Sequence, residues 1–285
     1  MRSRLVGVAV GVVAAVLGLL PWLLTGMRLP VQNLWRVEVA PESMPLALLP
    51  FSQYSIVLIA AVLLIGSALA GLAVRIRGRG TLGAVLGVLV VQVVALVQSA
   101  VTLAGGLAEG TPSSVYLAAL VAGVVASIVV GVLVLLLLAR APAPGAAIGI
   151  SIAAIAAGSW LSTLLGPLAA GSVAGLAVLN AVQWLPGILA GLALAWCGLT
   201  SVVRGLAWVV SLVLLWVGPT LVTAVSAASS SRALGPYPLE MLDYGWQVLT
   251  TALLIPAVSL RTALTALVVG AVGFVVLSAL QRRRA

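Results

Sequence analysis

Asn180, Gln183 and Trp184 stand at i, i+3 and i+4 within an apolar stretch. A helix there puts two amides and an indole on one face. Pro186 follows and frees a backbone carbonyl in the preceding turn. In lipid, such groups either hydrogen-bond across helices or line a polar path for a ligand. Gln92 and Gln98 form a second pair of amides in another apolar run. These five are the candidate binding residues at depth. None is a nucleophile or a general base, and no catalytic residue is assigned.

A second set is charged. Arg28, Trp35, Arg36, Glu38 and Glu42 share one polar stretch. Arg232, Glu240 and Asp243 occupy another, with Arg261 at its end. Pro41 argues against a helix that would align Glu38 with Glu42. These are candidates for recognising a polar group or a protein. The plainer alternative is solvated charges, or Arg–carboxylate pairs contributing ~0–1 kcal/mol each. Arg261 borders the last apolar run, where it can snorkel to a lipid phosphate.

The residue types that are missing exclude much chemistry. There is no His, so a Ser-His-Asp triad and His-based metal sites are impossible. The single Cys, Cys197, forms no internal disulfide and no Cys-cluster site. No metal or cofactor is expected. No nucleotide-binding motif is present, so ATP coupling would need a partner subunit.

The elements that must position these residues follow from composition. The chain has 285 residues, 63% hydrophobic and 7% charged. A soluble domain carries about 25% charged residues. The expected class is an all-α polytopic membrane protein, a single integral domain over 1–285. A spanning helix needs about 20 apolar residues. Eight runs satisfy this, at about 5–24, 53–74, 81–104, 115–139, 146–165, 173–199, 205–225 and 262–280. The first follows Arg2 and Arg4 and lacks a clear cleavage site, which reads as an uncleaved signal anchor. Residues 239–258 are apolar but broken by Pro256, and read as an interfacial or re-entrant helix.

Arginine placement sets the expected orientation. With eight spans and both termini cytoplasmic, ten of the 14 basic residues fall inside. All five acids, Glu38, Glu42, Glu109, Glu240 and Asp243, then fall outside. Merging the fifth and sixth spans, or counting 244–260 as a ninth, would place the Arg282–Arg284 triplet outside. The net charge of +9 is thereby topogenic, and nucleic acid is not an expected partner. The expected location is a bacterial plasma membrane.

The cytoplasmic connections are short, whereas 25–52 and 226–261 are long extracytoplasmic loops with several aromatics. No inverted repeat is visible, and a weak likeness between the two loops does not support a four-plus-four duplication. Six Gly-x-x-x-Gly pairs allow close helix approach.

Three functions are consistent with this pattern. The first is a transporter or permease-like protein for a lipid or amphiphile, because no carboxylate lies at depth to relay protons. The second is an accessory subunit of a cell-envelope complex, docking through its extracytoplasmic loops onto a membrane-protein partner. The third is an enzyme using outer carboxylates on a lipid-linked substrate. The first requires a cavity lined by Asn180 and Gln183. The second requires a filled helix core, and the third two outer acids converging in one pocket.

Overall fold

A computed structural model describes residues 2–231 and 238–282. Among these residues the fold is helical, with ten α-helices and no strand. They are α1 Arg2–Leu24, α2 Ile56–Arg77, α3 Thr81–Gly106, α4 Thr111–Arg140 and α5 Ala143–Ala169. Then come α6 Val173–Val182, α7 Leu185–Cys197, α8 Val202–Ser230, α9 Pro238–Leu253 and α10 Pro256–Arg282. Eight segments are long and apolar enough to cross a membrane, α6 and α7 together making the sixth. The chain is a multi-pass membrane protein, as its composition requires.

Two places near the site depart from the expected elements. α10 starts at Pro256, which suits a first helical turn because it has no N–H to leave unbonded. The sequence reading treats Pro256 as an interruption, yet it begins the last helix. Arg261 therefore lies inside α10, about 8 Å along the axis from its first residue. The sixth span is broken at Gln183 and Trp184, which form a tight turn. The Gln183 N–H bonds the Asn180 carbonyl at 3.3 Å and the Trp184 N–H bonds Ala181 at 3.1 Å. These are i to i−3 bonds, the tightened pattern of a helix end. Pro186 supplies the cause, since it cannot donate to the carbonyl one turn back.

The packing order repeats along the chain. α1 packs on α2 and α3, α2 on α4, and α3 on α4. In the second half α5 packs on α7 and α8, α7 on α10, and α8 on α10. The two halves thus share one pairing pattern, which the sequence alone does not reveal. They meet chiefly through α5, which packs on α2 and α4.

Glycine sets the closest approaches. A Cβ at Gly11 would meet the Ala84 carbonyl, and one at Gly87 the Val8 carbonyl. α1 and α3 therefore touch backbone to backbone over two of the Gly-x-x-x-Gly pairs, Gly7/Gly11 and Gly83/Gly87. Gly187 and Gly191 of α7 do the same against Thr262 and Ala266 of α10.

The stretch 25–52 is a folded cap. Leu29, Met44, Ala47, Leu49 and Phe51 are buried, joined to one core with Leu19, Val62, Leu103 and Leu120. The Trp22 indole N–H donates to the Ala47 carbonyl at 2.8 Å. The Tyr116 hydroxyl donates to Gln32 Oε1 at 2.7 Å and accepts from the Gln53 N–H at 3.2 Å. These bonds satisfy irregular backbone where helices end, as a low-dielectric surrounding demands. The α9 helix packs on α8, with Gly245 against Ala228.

Candidate functional site

The broken sixth span opens onto a cavity inside the second half. It measures about 260 Å³ and is walled by α5, the α6–α7 break, α8 and α10. Gln183, Arg261, Ser159, Ser162 and Thr262 supply polar atoms, and Pro186 and Pro219 form part of the wall. Pro219 lies within α8 and cannot donate to the preceding turn, so both prolines free backbone carbonyls near this level.

Among the described residues, Arg261 is the only charged side chain of the lining. Its Cζ lies 5.7 Å from the centroid of the Trp184 ring, the distance of a cation–π contact. Its Nε is buried without a hydrogen-bond partner among the described residues. No ion pair to Arg261 is formed there either. An unpaired cation inside an apolar bundle is costly, and such residues normally face a partner or a wet cavity.

The sequence candidates divide into distinct places. Gln183 lines the cavity, and Trp184, 48% exposed, covers Arg261 from the outer surface of the bundle. Asn180 is exposed on α6 and does not line this cavity. Gln92 is buried elsewhere: its Nε2 donates to the Leu63 carbonyl at 2.9 Å and to the Ser67 hydroxyl at 3.2 Å. It ties α3 to α2. Gln98 holds the cap: its Oε1 accepts from the Leu48 N–H at 2.8 Å and its Nε2 donates to the Leu46 carbonyl at 3.0 Å.

The described charged candidates lie apart from the cavity, Arg261 excepted. Arg28 donates to the Met44 carbonyl at 3.1 Å and so closes the cap on itself. Trp35 pairs with Leu107 across an isolated bridge, and its ring rests on Gly106. Arg36, Glu38 and Glu42 are exposed on the cap. Glu240 and Asp243 are exposed on α9, where Asp243 accepts from Gln247 at 2.9 Å. Among the described residues no ion pair joins the cap to α9, and no group of acids could hold a metal. Arg232 lies outside the described residues.

Ser159, Ser162 and Thr262 escape a sequence reading, since isolated hydroxyls are common in spans and only packing brings those of α5 and α10 together here. A second cavity, of about 540 Å³, lies on the other side of α5 between α2 and α7 and is almost wholly apolar.

These features define a polytopic helical membrane protein with a polar, arginine-bearing cavity at a proline-broken helix. Comparison with protein-family models, curated proteins and solved structures finds no match to this chain.

Proposed function

We propose that this chain is a transporter- or permease-like membrane protein that binds an amphiphile with an anionic head, a lipid being the leading class. The observation supporting this is the cavity at Gln183 and Arg261, where an unpaired guanidinium meets hydroxyls inside a span. A phosphate or carboxylate there would accept charge-assisted hydrogen bonds from Arg261. Hydroxyls of Ser159, Ser162 and Thr262 would complete its shell. The ligand's tail would remain among apolar helices. Discontinuous helices around a polar site near mid-span are a recurring device of transporters. On this reading the cap and α9 face the extracytoplasmic side of a bacterial plasma membrane, with both termini cytoplasmic.

The accessory-subunit reading retains one specific support. The first half is filled by a continuous apolar core, and its cap exposes Val31, Val37, Arg36 and Glu38 to a partner. The enzyme reading gains nothing from the positions of the acids.

The test is lipid movement in liposomes holding the full chain and fluorescent phosphatidylglycerol. Wild-type protein should expose inner-leaflet label to dithionite, and Arg261→Gln should slow this by about tenfold or more. Equal rates for both, or a rate no faster than empty liposomes, would overturn the transport proposal.

A further inference from the structure

The apolar cavity between the halves is lined at one end by Trp196, whose ring carries a cation that the pocket at Arg261 does not share. α2 and α7 form its sides and α5 its floor, with Ile65, Leu72, Ala157, Leu189 and Trp196 among its lining. Arg75 lies at the end of α2, its Cζ 5.1 Å from the centroid of the Trp196 ring. Arg75 Nη1 donates to the Leu138 and Ala141 carbonyls, both at 2.9 Å, which fixes the guanidinium at the last turn of α4. Its Nε and Nη2 have no protein acceptor among the described residues. All five acids lie on the cap, on the 107–110 connection or on α9, where the other ends of these helices meet.

The length of the groove fits one leaflet. From Leu185 to Trp196, α7 advances about 16 Å at 1.5 Å per residue. Half of a ~30 Å hydrocarbon layer is about the same depth. The volume, about 540 Å³, falls within the ~300–1,000 Å³ of ligand sites. The cation stands at the end of the groove where the helices reach the membrane surface. Arg77, Arg79 and Arg140 share that end of the bundle.

We infer that this groove binds an anionic glycerophospholipid of the adjoining leaflet, with an acyl chain along α2 and α7 and its phosphate on Arg75. The site is separate from the Arg261 cavity, being on the opposite side of α5. Trp196 holds the guanidinium over the groove mouth, and the α4 carbonyls keep it from turning away. A zwitterionic lipid fills the same groove but brings its own cation to this mouth, so head charge decides the preference.

Native mass spectrometry of the full chain in detergent, carried out in an Arg261→Gln background so that the other anionic site is silent, and titrated with phosphatidylglycerol or phosphatidylcholine, tests this. That protein should retain phosphatidylglycerol more tightly, by about fivefold, as expected for one interfacial arginine. Arg75→Gln should abolish that preference, while Arg77→Gln, at an exposed arginine of the same helix end, should keep it. Ala157→Phe should remove the retained lipid of either type while leaving Arg75 in place. Should Arg75→Gln fail to fold, the Ala157→Phe variant decides the question. Phosphatidylglycerol retention unchanged in Ala157→Phe, or a preference unchanged in Arg75→Gln, would overturn the assignment. Arg261→Gln should leave this lipid bound, so failure of the transport proposal is distinguishable from failure here.

Discussion

The guanidinium of Arg261, in the second turn of α10, lies over the ring of Trp184 at the α6–α7 break, 5.7 Å from its centroid. This pair joins the two features of the cavity: a cation with no acid beside it and a helix interrupted at mid-span. The ring shields one side of the charge and leaves the cavity side for a ligand. Arg261→Lys should lower binding of an anionic amphiphile less than Arg261→Gln, because it keeps charge but loses the planar donor set. Trp184→Leu should weaken binding about two- to fivefold, as loss of a cation–π contact of ~0.5–1 kcal/mol implies. Titration with a spin-labelled phosphatidylglycerol checks both.

Gln98 and Ser99 anchor the cap rather than a ligand. Gln98 bonds two backbone groups of residues 46–48, and the Ser99 hydroxyl accepts from the Leu49 N–H at 2.8 Å. Gln98→Leu strands both backbone groups and should cost about 1–3 kcal/mol. Thermal unfolding in detergent should show this loss, with amphiphile binding at the Arg261 cavity unchanged.

Gln92 also reads as structural. One of its bonds runs to a carbonyl already within helix α2, and its Oε1 is buried without a partner among the described residues. Gln92→Leu should therefore stay within about 1 kcal/mol of wild type. Gln92→Glu places a charge at that depth and should lose about 2.5 kcal/mol or more. Melting temperatures of the two variants, taken together, check the assignment.

The backbone contact of α1 with α3 predicts a sharp contrast between glycines. Gly87→Leu drives a side chain into the Val8 carbonyl and should cost about 1–3 kcal/mol or prevent folding. Gly123 on α4 has open space around a built Cβ, so Gly123→Ala should be neutral or slightly stabilising. Thermal unfolding in one detergent ranks the two variants.

The orientation has its own check. In a Cys197→Ala background, cysteine at Glu42 or Glu240 should label with an impermeant maleimide from outside intact cells. Labelling of either only after lysis would reverse the topology.

Span count was legible because a 20-residue apolar run has few fates in water or lipid. Helix ends were less so: α10 gained a turn and a half because Pro256 reads equally as a stop or a start. The site was half legible. Pro186 announced a disturbed backbone, but a helical wheel does not say which face neighbouring helices cover, and Asn180 is left exposed outside the cavity. Gln98 and Trp35 read as candidates for recognition because a sequence does not show which carbonyls and which glycine await them. The repeated packing of the two halves lies in pairing order, which different side chains can produce, so no residue pattern betrays it.

The central claim, that the broken sixth span holds an anionic amphiphile, is tested most directly by photocrosslinking at Gln183. Benzoylphenylalanine there, irradiated in native membranes, should yield a protein adduct whose added mass is a lipid or amphiphile bearing phosphate or carboxylate. The adduct should disappear with Arg261→Gln. Adducts with protein alone, or a lipid adduct undiminished by Arg261→Gln, would contradict the account.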